Sequence, residues 1–211
     1  MTETAWLTSS DMLKLLSQAN LYSGQRKLRL FACACCRRFI HLLTGKETRR
    51  ALEVSESIAD GVARFTELAA AKRAVPVLSP QSATEWASNC AHFAANRISR
   101  HAALSAYSTS LEVARSLGLP TASREPHYAH LLRDIFGNPF RPVAFDPKWR
   151  TEAAVGLALR MYDDREFAAM PILADALQEA GCENADILTH CRETGVHVRG
   201  CWVVDRVLGK A

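Results

Sequence analysis

The chain has 211 residues, of which 48% are hydrophobic and 23% charged, and its formal net charge is +4. That composition belongs to an ordinary water-soluble globular protein, and the length allows a full core without covalent staples. No run of about 18 apolar residues occurs, which argues against a membrane span, and Met1 to Trp6 carries Glu3 where an export signal would be basic and then apolar.

Taken in order, residues 1–8 read as an arm anchored by Trp6 and Leu7. Ser9, Ser10 and Asp11 supply N-cap chemistry for a short helix through Met12, Leu15 and Leu16. Asn20 to Gly24 reads as a turn. Arg26 to Leu43 (RKLRLFACACCRRFIHLL) is apolar almost all the way round, with basic residues at its start and middle, and is the candidate for the central core helix. Gly45 stops it. Thr44 and Glu47 have capping-box spacing ahead of a surface helix that reaches Gly61, and a shorter helix over Thr66 to Ala74 ends at Val75-Pro76.

From Ser79-Pro80 to Leu117 there is no further proline or glycine, and Trp86, Cys90, Phe93, Ile98, Ala102, Leu104 and Leu111 recur at helical spacing. This predicts one long helix, or two with a break near 105–110. Gly118-Leu119-Pro120 ends it and is the expected boundary between an N-terminal half (1–118) and a C-terminal half (119–211). Ser123 and Pro126 start the next helix, which Gly137 stops. Residues 138–149 hold three prolines and three aromatics in twelve positions, an ordered crossing loop. Asp146-Pro147 restarts a helix through Met161, Pro171 opens one that Gly181 stops, Asp186 to Arg192 is short, and Val196 to Leu208 closes the chain. No stretch alternates apolar and polar residues as a half-buried strand does. The expectation is an all-α globular domain of eight to ten helices, divisible into two packed subdomains at Gly118.

Three strings, Arg26 to Arg38 (RKLRLFACACCRR), Leu131 to Val143 (LLRDIFGNPFRPV) and Pro171 to Leu208, together resemble a family of uncharacterised helical proteins abundant in planctomycete bacteria. Some members of that family accompany or are fused to a repeat-companion domain. Residues 80–117 depart from the family pattern, an Ala/Trp/Arg tract. The resemblance implies a bacterial, cytoplasmic, helical domain, and it carries over no catalytic residue.

Charge is uneven along the chain. Residues 26–50 hold eight Lys and Arg against one acid, Glu47, a local balance of +7, and residues 151–195 hold nine acids against three Arg, a balance of −6. The two regions read as opposite solvated faces or as partners, and the basic stretch is also a candidate nucleic-acid patch. Seven cysteines without an export signal fit a reducing cytoplasm, where thiols stay free or bind metal, and an odd number cannot pair completely. Cys33 and Cys36 are three apart and His197 and Cys201 four apart, each pair sharing one face if helical, so the four form a candidate Cys₃His zinc site. The competing account is that these cysteines are small core residues. Cys201 or Cys191 with His197 or His190 is a candidate thiol nucleophile and base, which requires an exposed and activated thiolate. Asp163-Asp164-Arg165-Glu166 reads as a solvated turn, and His127 with His130 as an amphipathic pair. No Gly-rich phosphate loop, GxSxG or HExxH string is present.

These observations predict a non-enzymatic helical interaction module that contacts another protein through Phe140, Arg141, Phe145 and Trp149, aromatics and arginine being the dominant interface residues. A zinc-stabilised helical domain and a thiol-dependent enzyme are the alternatives.

Overall fold

A computed structural model describes residues 1–22 and 24–210, without the side chains of residues 20, 22 and 121–123; Ser23, in the predicted 20–24 turn, lies outside the described residues, as does the Ser123 cap. The protein is all-α. Among the described residues there are twelve α-helices and three short 3-10 turns, slightly more helices than expected, and no strand. No described helix is long and apolar enough to cross a membrane. The chain forms two compact units, Met1–Leu132 and Arg133–Ala211, so the division falls inside a helix rather than at Gly118.

The N-terminal unit holds α1 (Glu3–Thr8), α2 (Met12–Tyr22), α3 (Gln25–Arg37), α4 (Lys46–Ala59), α5 (Phe65–Ala74), α6 (Ala83–Ala94), α7 (Ser99–Ser116) and most of α8 (Thr121–Phe136). Nine consecutive residues of α3, Leu28 to Cys36, are buried, and α3 packs against α4, α6 and α7. An apolar stripe alone cannot surround a helix with protein; the all-round apolar character of α3 is what allows three neighbours. Asp11 caps α2 through the Lys14 N–H, and Ser82 caps α6 through the Glu85 N–H.

The basic stretch at 26–50 is largely spent inside this unit. Arg37 makes a two-pronged pair with the buried carboxylate of Glu56, at 2.5 and 2.9 Å. Arg26 reaches Asp60 and Arg49 donates to the Leu43 carbonyl. Arg29, only 2% exposed, donates to the carbonyls of Asn96 and Arg97, both at 2.8 Å, and to the Ser99 hydroxyl at 3.1 Å. Those acceptors explain why the predicted long helix breaks at 95–98 and not near 105–110. The break turns two carbonyls free of helical bonding toward a buried guanidinium.

The cysteines of α3 are packed and partly paired. Cys36 and Cys90 of α6 form a disulfide, which replaces the expectation that all thiols are free or metal-bound. Cys33 and Cys35 remain thiols in the core, and burial pushes both up, Cys33 to about 12.

The C-terminal unit takes the last turn of α8, a 3-10 turn at Pro147–Trp149, α9 (Glu152–Asp164), a 3-10 turn at Phe167–Ala169, α10 (Met170–Glu179), α11 (Ala185–Arg192) and α12 (Trp202–Leu208). Its core gathers Ala158, Met161, Tyr162, Leu173, Leu177, Ile187, Val203 and Val207. The helix expected from Asp146-Pro147 instead begins at Glu152, because the Thr151 hydroxyl caps the Ala154 N–H. The helix expected from Val196 begins only at Trp202, so residues 193–201 cross the unit without helical form.

Two predictions follow from this packing. Arg29→Ala leaves buried carbonyls without donors and is expected to cost about 3 kcal/mol in urea unfolding, and Arg29→Lys recovers little of it, since one ammonium cannot span the acceptors. His127 is held down at about 4 by burial, with Arg38 and His130 adding to the effect. Its neutral form is native, so the stability it contributes is complete above its ordinary value near 6.5 and falls as pH drops from there to about 4. His127→Gln should flatten the stability-versus-pH curve in that window by up to about 1 kcal/mol per pH unit, and an unchanged slope would contradict the assignment.

Candidate metal centre

An acid sits where the pattern of α8 calls for an apolar residue. Leu131, Asp134 and Ile135 are spaced three and four apart, on one helical face, and all three are buried. Asp134 also lies in the last turn of its helix, where the macrodipole disfavours a negative charge. A carboxylate in that position needs specific partners. They come from three places in the C-terminal unit. His190 projects from α11, His197 from the 193–201 crossing, and Cys201 is the N-cap residue just ahead of α12.

The distances are short throughout. His190 Nε2 is 3.1 Å from Asp134 Oδ1 and 3.2 Å from Cys201 Sγ. His197 Nδ1 is 2.7 Å from Asp134 Oδ1 and 4.0 Å from Cys201 Sγ. One ligand atom from each of the four residues lies within 4.8 Å of all the others. The second carboxylate oxygen, Oδ2, accepts the Val198 N–H at 2.9 Å, which fixes the carboxylate plane and leaves Oδ1 facing the cluster.

Neighbours hold these groups in register. The imidazoles of His190 and His197 meet edge to face, 4.9 Å apart. The indole of Trp202 lies 5.2 Å from His190. Trp202 can come this close to the end of α8 because residue 137 is glycine. A β-carbon there would stand 3.1 Å from the indole, and the left-handed φ of +67° independently favours glycine.

Burial and the charges of the cluster itself set the protonation of its groups. Burial pushes the Asp134 carboxyl up, but hydrogen bonds and charge from His190 and His197 outweigh it and leave the group below the usual carboxylate range. Burial pushes His197 down, and the Asp134 hydrogen bond and charge reverse this, so His197 stays protonated to higher pH than a free imidazole. Burial and the nearby Asp134 charge raise the Cys201 thiol well above its ordinary value.

Of the expected Cys₃His set, His197 and Cys201 lie in this cluster, and Cys33 and Cys36 do not. Both belong to the N-terminal unit, where Cys36 is joined to Cys90. His197 and Cys201 do not share a helical face, since the segment between them is not helical; they meet across a turn containing Gly200 at φ +98°. Asp134 and His190 complete the cluster in place of the two α3 cysteines. As a thiol nucleophile Cys201 is poorly suited, being fully buried and hard to ionise, and burial takes Cys191 up to about 12. Of the loop residues, Phe145 and Trp149 stack edge to face at 5.3 Å and pack against the C-terminal core, Phe140 is half-buried, and Arg141 is exposed and 3.9 Å from Asp186. The Asp163-Asp164 turn is exposed at the end of α9.

Comparison of the chain with family models, with curated proteins and with solved structures finds no match.

In metal-free protein, Asp134→Asn strands a buried imidazolium and is expected to destabilise the fold by about 3 kcal/mol at pH 6, measured by urea unfolding. The sign follows from both partners. The Asp134 contribution is present above the usual carboxylate range and lost as pH falls through its lowered value. The His197 contribution is present below the ordinary histidine range and lost as pH rises through its raised value. The cost of Asp134→Asn is therefore largest between those limits and shrinks on either side.

Proposed function

We propose that this chain is a non-enzymatic helical domain whose C-terminal unit holds one structural zinc ion through Asp134 Oδ1, His190 Nε2, His197 Nδ1 and Cys201 Sγ. The observation that carries this reading is the convergence of four different ligand atoms, from four separate points in the chain, within 4.8 Å of one another. Tetrahedral zinc with N and O donors near 2.0–2.1 Å and sulfur near 2.3 Å needs donor separations of about 3.3–3.6 Å. Four of the six donor separations, 2.7 to 4.0 Å, bracket that range. The remaining pairs lie within 4.8 Å, so the side chains draw together by up to about an ångström to hold the ion.

Charge supports the same reading. One carboxylate, one thiolate and two neutral imidazoles carry −2, so a divalent cation leaves the buried site neutral, which avoids the large cost of an isolated interior charge. The mixed soft and nitrogen donor set suits zinc and disfavours calcium or magnesium, which take oxygen ligands. Four protein ligands fill a tetrahedral shell, the arrangement of structural and not catalytic zinc. The Val198 N–H on Asp134 Oδ2 is the outer-shell bond that orients such a ligand.

Protein purified without a metal-affinity tag and reconstituted with zinc should hold one ion per chain. Binding releases protons from Cys201 and His197, so affinity rises with pH. His190→Ala and Cys201→Ser should each weaken zinc binding by roughly 100-fold or more. Fluorescence of Trp202, beside His190, provides the titration signal. Sub-stoichiometric zinc at micromolar free metal, or full binding by the His190→Ala variant, refutes the assignment.

A further inference from the structure

The cysteine-rich helix offers a second chemistry, independent of the zinc reading because all its residues lie in the N-terminal unit. α3 and α6 are tied at two levels. Near the start of α3, Arg29 grips the Asn96 and Arg97 carbonyls just beyond the end of α6. Seven residues later, Cys36 is joined to Cys90, with Cα atoms 5.8 Å apart. As the α3 position rises from 29 to 36, its partner falls from 96 to 90, so the two helices run antiparallel. Seven residues of helix separate the two ties by about 10 Å.

One tie is polar and permanent under physiological conditions, since a guanidinium keeps its charge. The other can be opened by reduction. Loss of the sulfur bond would therefore leave α3 and α6 still clamped at one end. The other α3 thiols do not compete for Cys90. Cys33 lies beside Ser55 and Cys35 beside Ser110, and both are buried thiols, not thiolates. Selectivity for the 36–90 pair is thus set by position along α3 and by the partners the other two thiols already hold.

We propose that Cys36 and Cys90 are a reversible thiol-modification site, a two-electron couple that exchanges with low-molecular-weight disulfides and switches the N-terminal unit between a stapled and a singly clamped state. In the closing reaction one protein thiolate attacks glutathione disulfide, releasing one glutathione. The second protein thiolate then displaces the other glutathione, forming the Cys36–Cys90 bond. One sulfur–sulfur bond breaks and one forms; the two protein thiol protons end on two glutathione thiols, and the protein is oxidised by two electrons. Both sulfurs are buried, so exchange passes through local opening and takes minutes to hours.

The test uses the full chain, equilibrated with oxidised or reduced glutathione in the presence of a zinc chelator, then denatured and alkylated with N-ethylmaleimide without reductant. Intact mass is expected to show five adducts after oxidation and seven after reduction. Peptide mapping places the link at Cys36 and Cys90. The Cys90→Ser and Cys36→Ala variants should show six adducts in both buffers. The oxidised wild type should melt about 10 °C above the reduced form, as a closed loop of this length requires, whereas both variants should melt alike in the two buffers. Seven adducts after oxidation, stable glutathione adducts in place of the link, a link between other cysteines, or equal melting of the two wild-type forms each overturns the proposal. Zinc binding is measured separately, so failure of the metal assignment leaves this result unaffected.

Discussion

A charge taken out of water must be met by groups brought to it, and in this protein that requirement governs the irregular segments of both units. Arg29 is answered by carbonyls, so the polypeptide between α6 and α7 must leave the helix at 95–98 to present them. Asp134 is answered by two imidazoles and a backbone N–H, so the segment from 193 to 201 must pass beside the last turn of α8. In each case a helix supplies the charge and a non-helical stretch supplies the reply. The apolar core then packs around positions that these polar contacts have already limited.

This division explains which parts of the fold were legible in sequence. The all-α class was legible because it rests on hydrophobic periodicity, a local property. The central role of α3 was legible because nine consecutive buried residues leave a clear apolar signature. The break at 95–98 was not, since Asn96 and Arg97 are ordinary helix surface residues until a guanidinium 67 residues away claims their carbonyls. The late start of α12 was hidden in the same way. Val196 and Val198 continue an apolar run, while the reason the chain does not coil there is a contact with Asp134.

The candidate site was half legible. His197 and Cys201 stand out because histidine and cysteine are scarce and close together. Asp134 did carry a signal, an acid on the buried face between Leu131 and Ile135, but a single misplaced charge reads equally well as a surface residue when the helix orientation is unknown. His190 was visible as a candidate base and not as a ligand, because its partner is set by tertiary packing. The α3 cysteines drew attention by number, and number is a poor guide where tight helix packing itself favours small, slightly polarisable side chains.

Gly137 illustrates how such a site becomes resistant to change. The residue ends α8 in a left-handed turn, and its bare α-carbon also forms the floor on which the Trp202 indole rests. Alanine meets two separate obstacles there, one in its own backbone and one in the ring above it, and relieving either leaves the other. Moving the indole to make room disturbs the His190 ring beside it, so Gly137, Trp202 and His190 form one mechanical unit although more than fifty positions separate the glycine from either ring. The smallest residue in the neighbourhood thus has the fewest acceptable replacements.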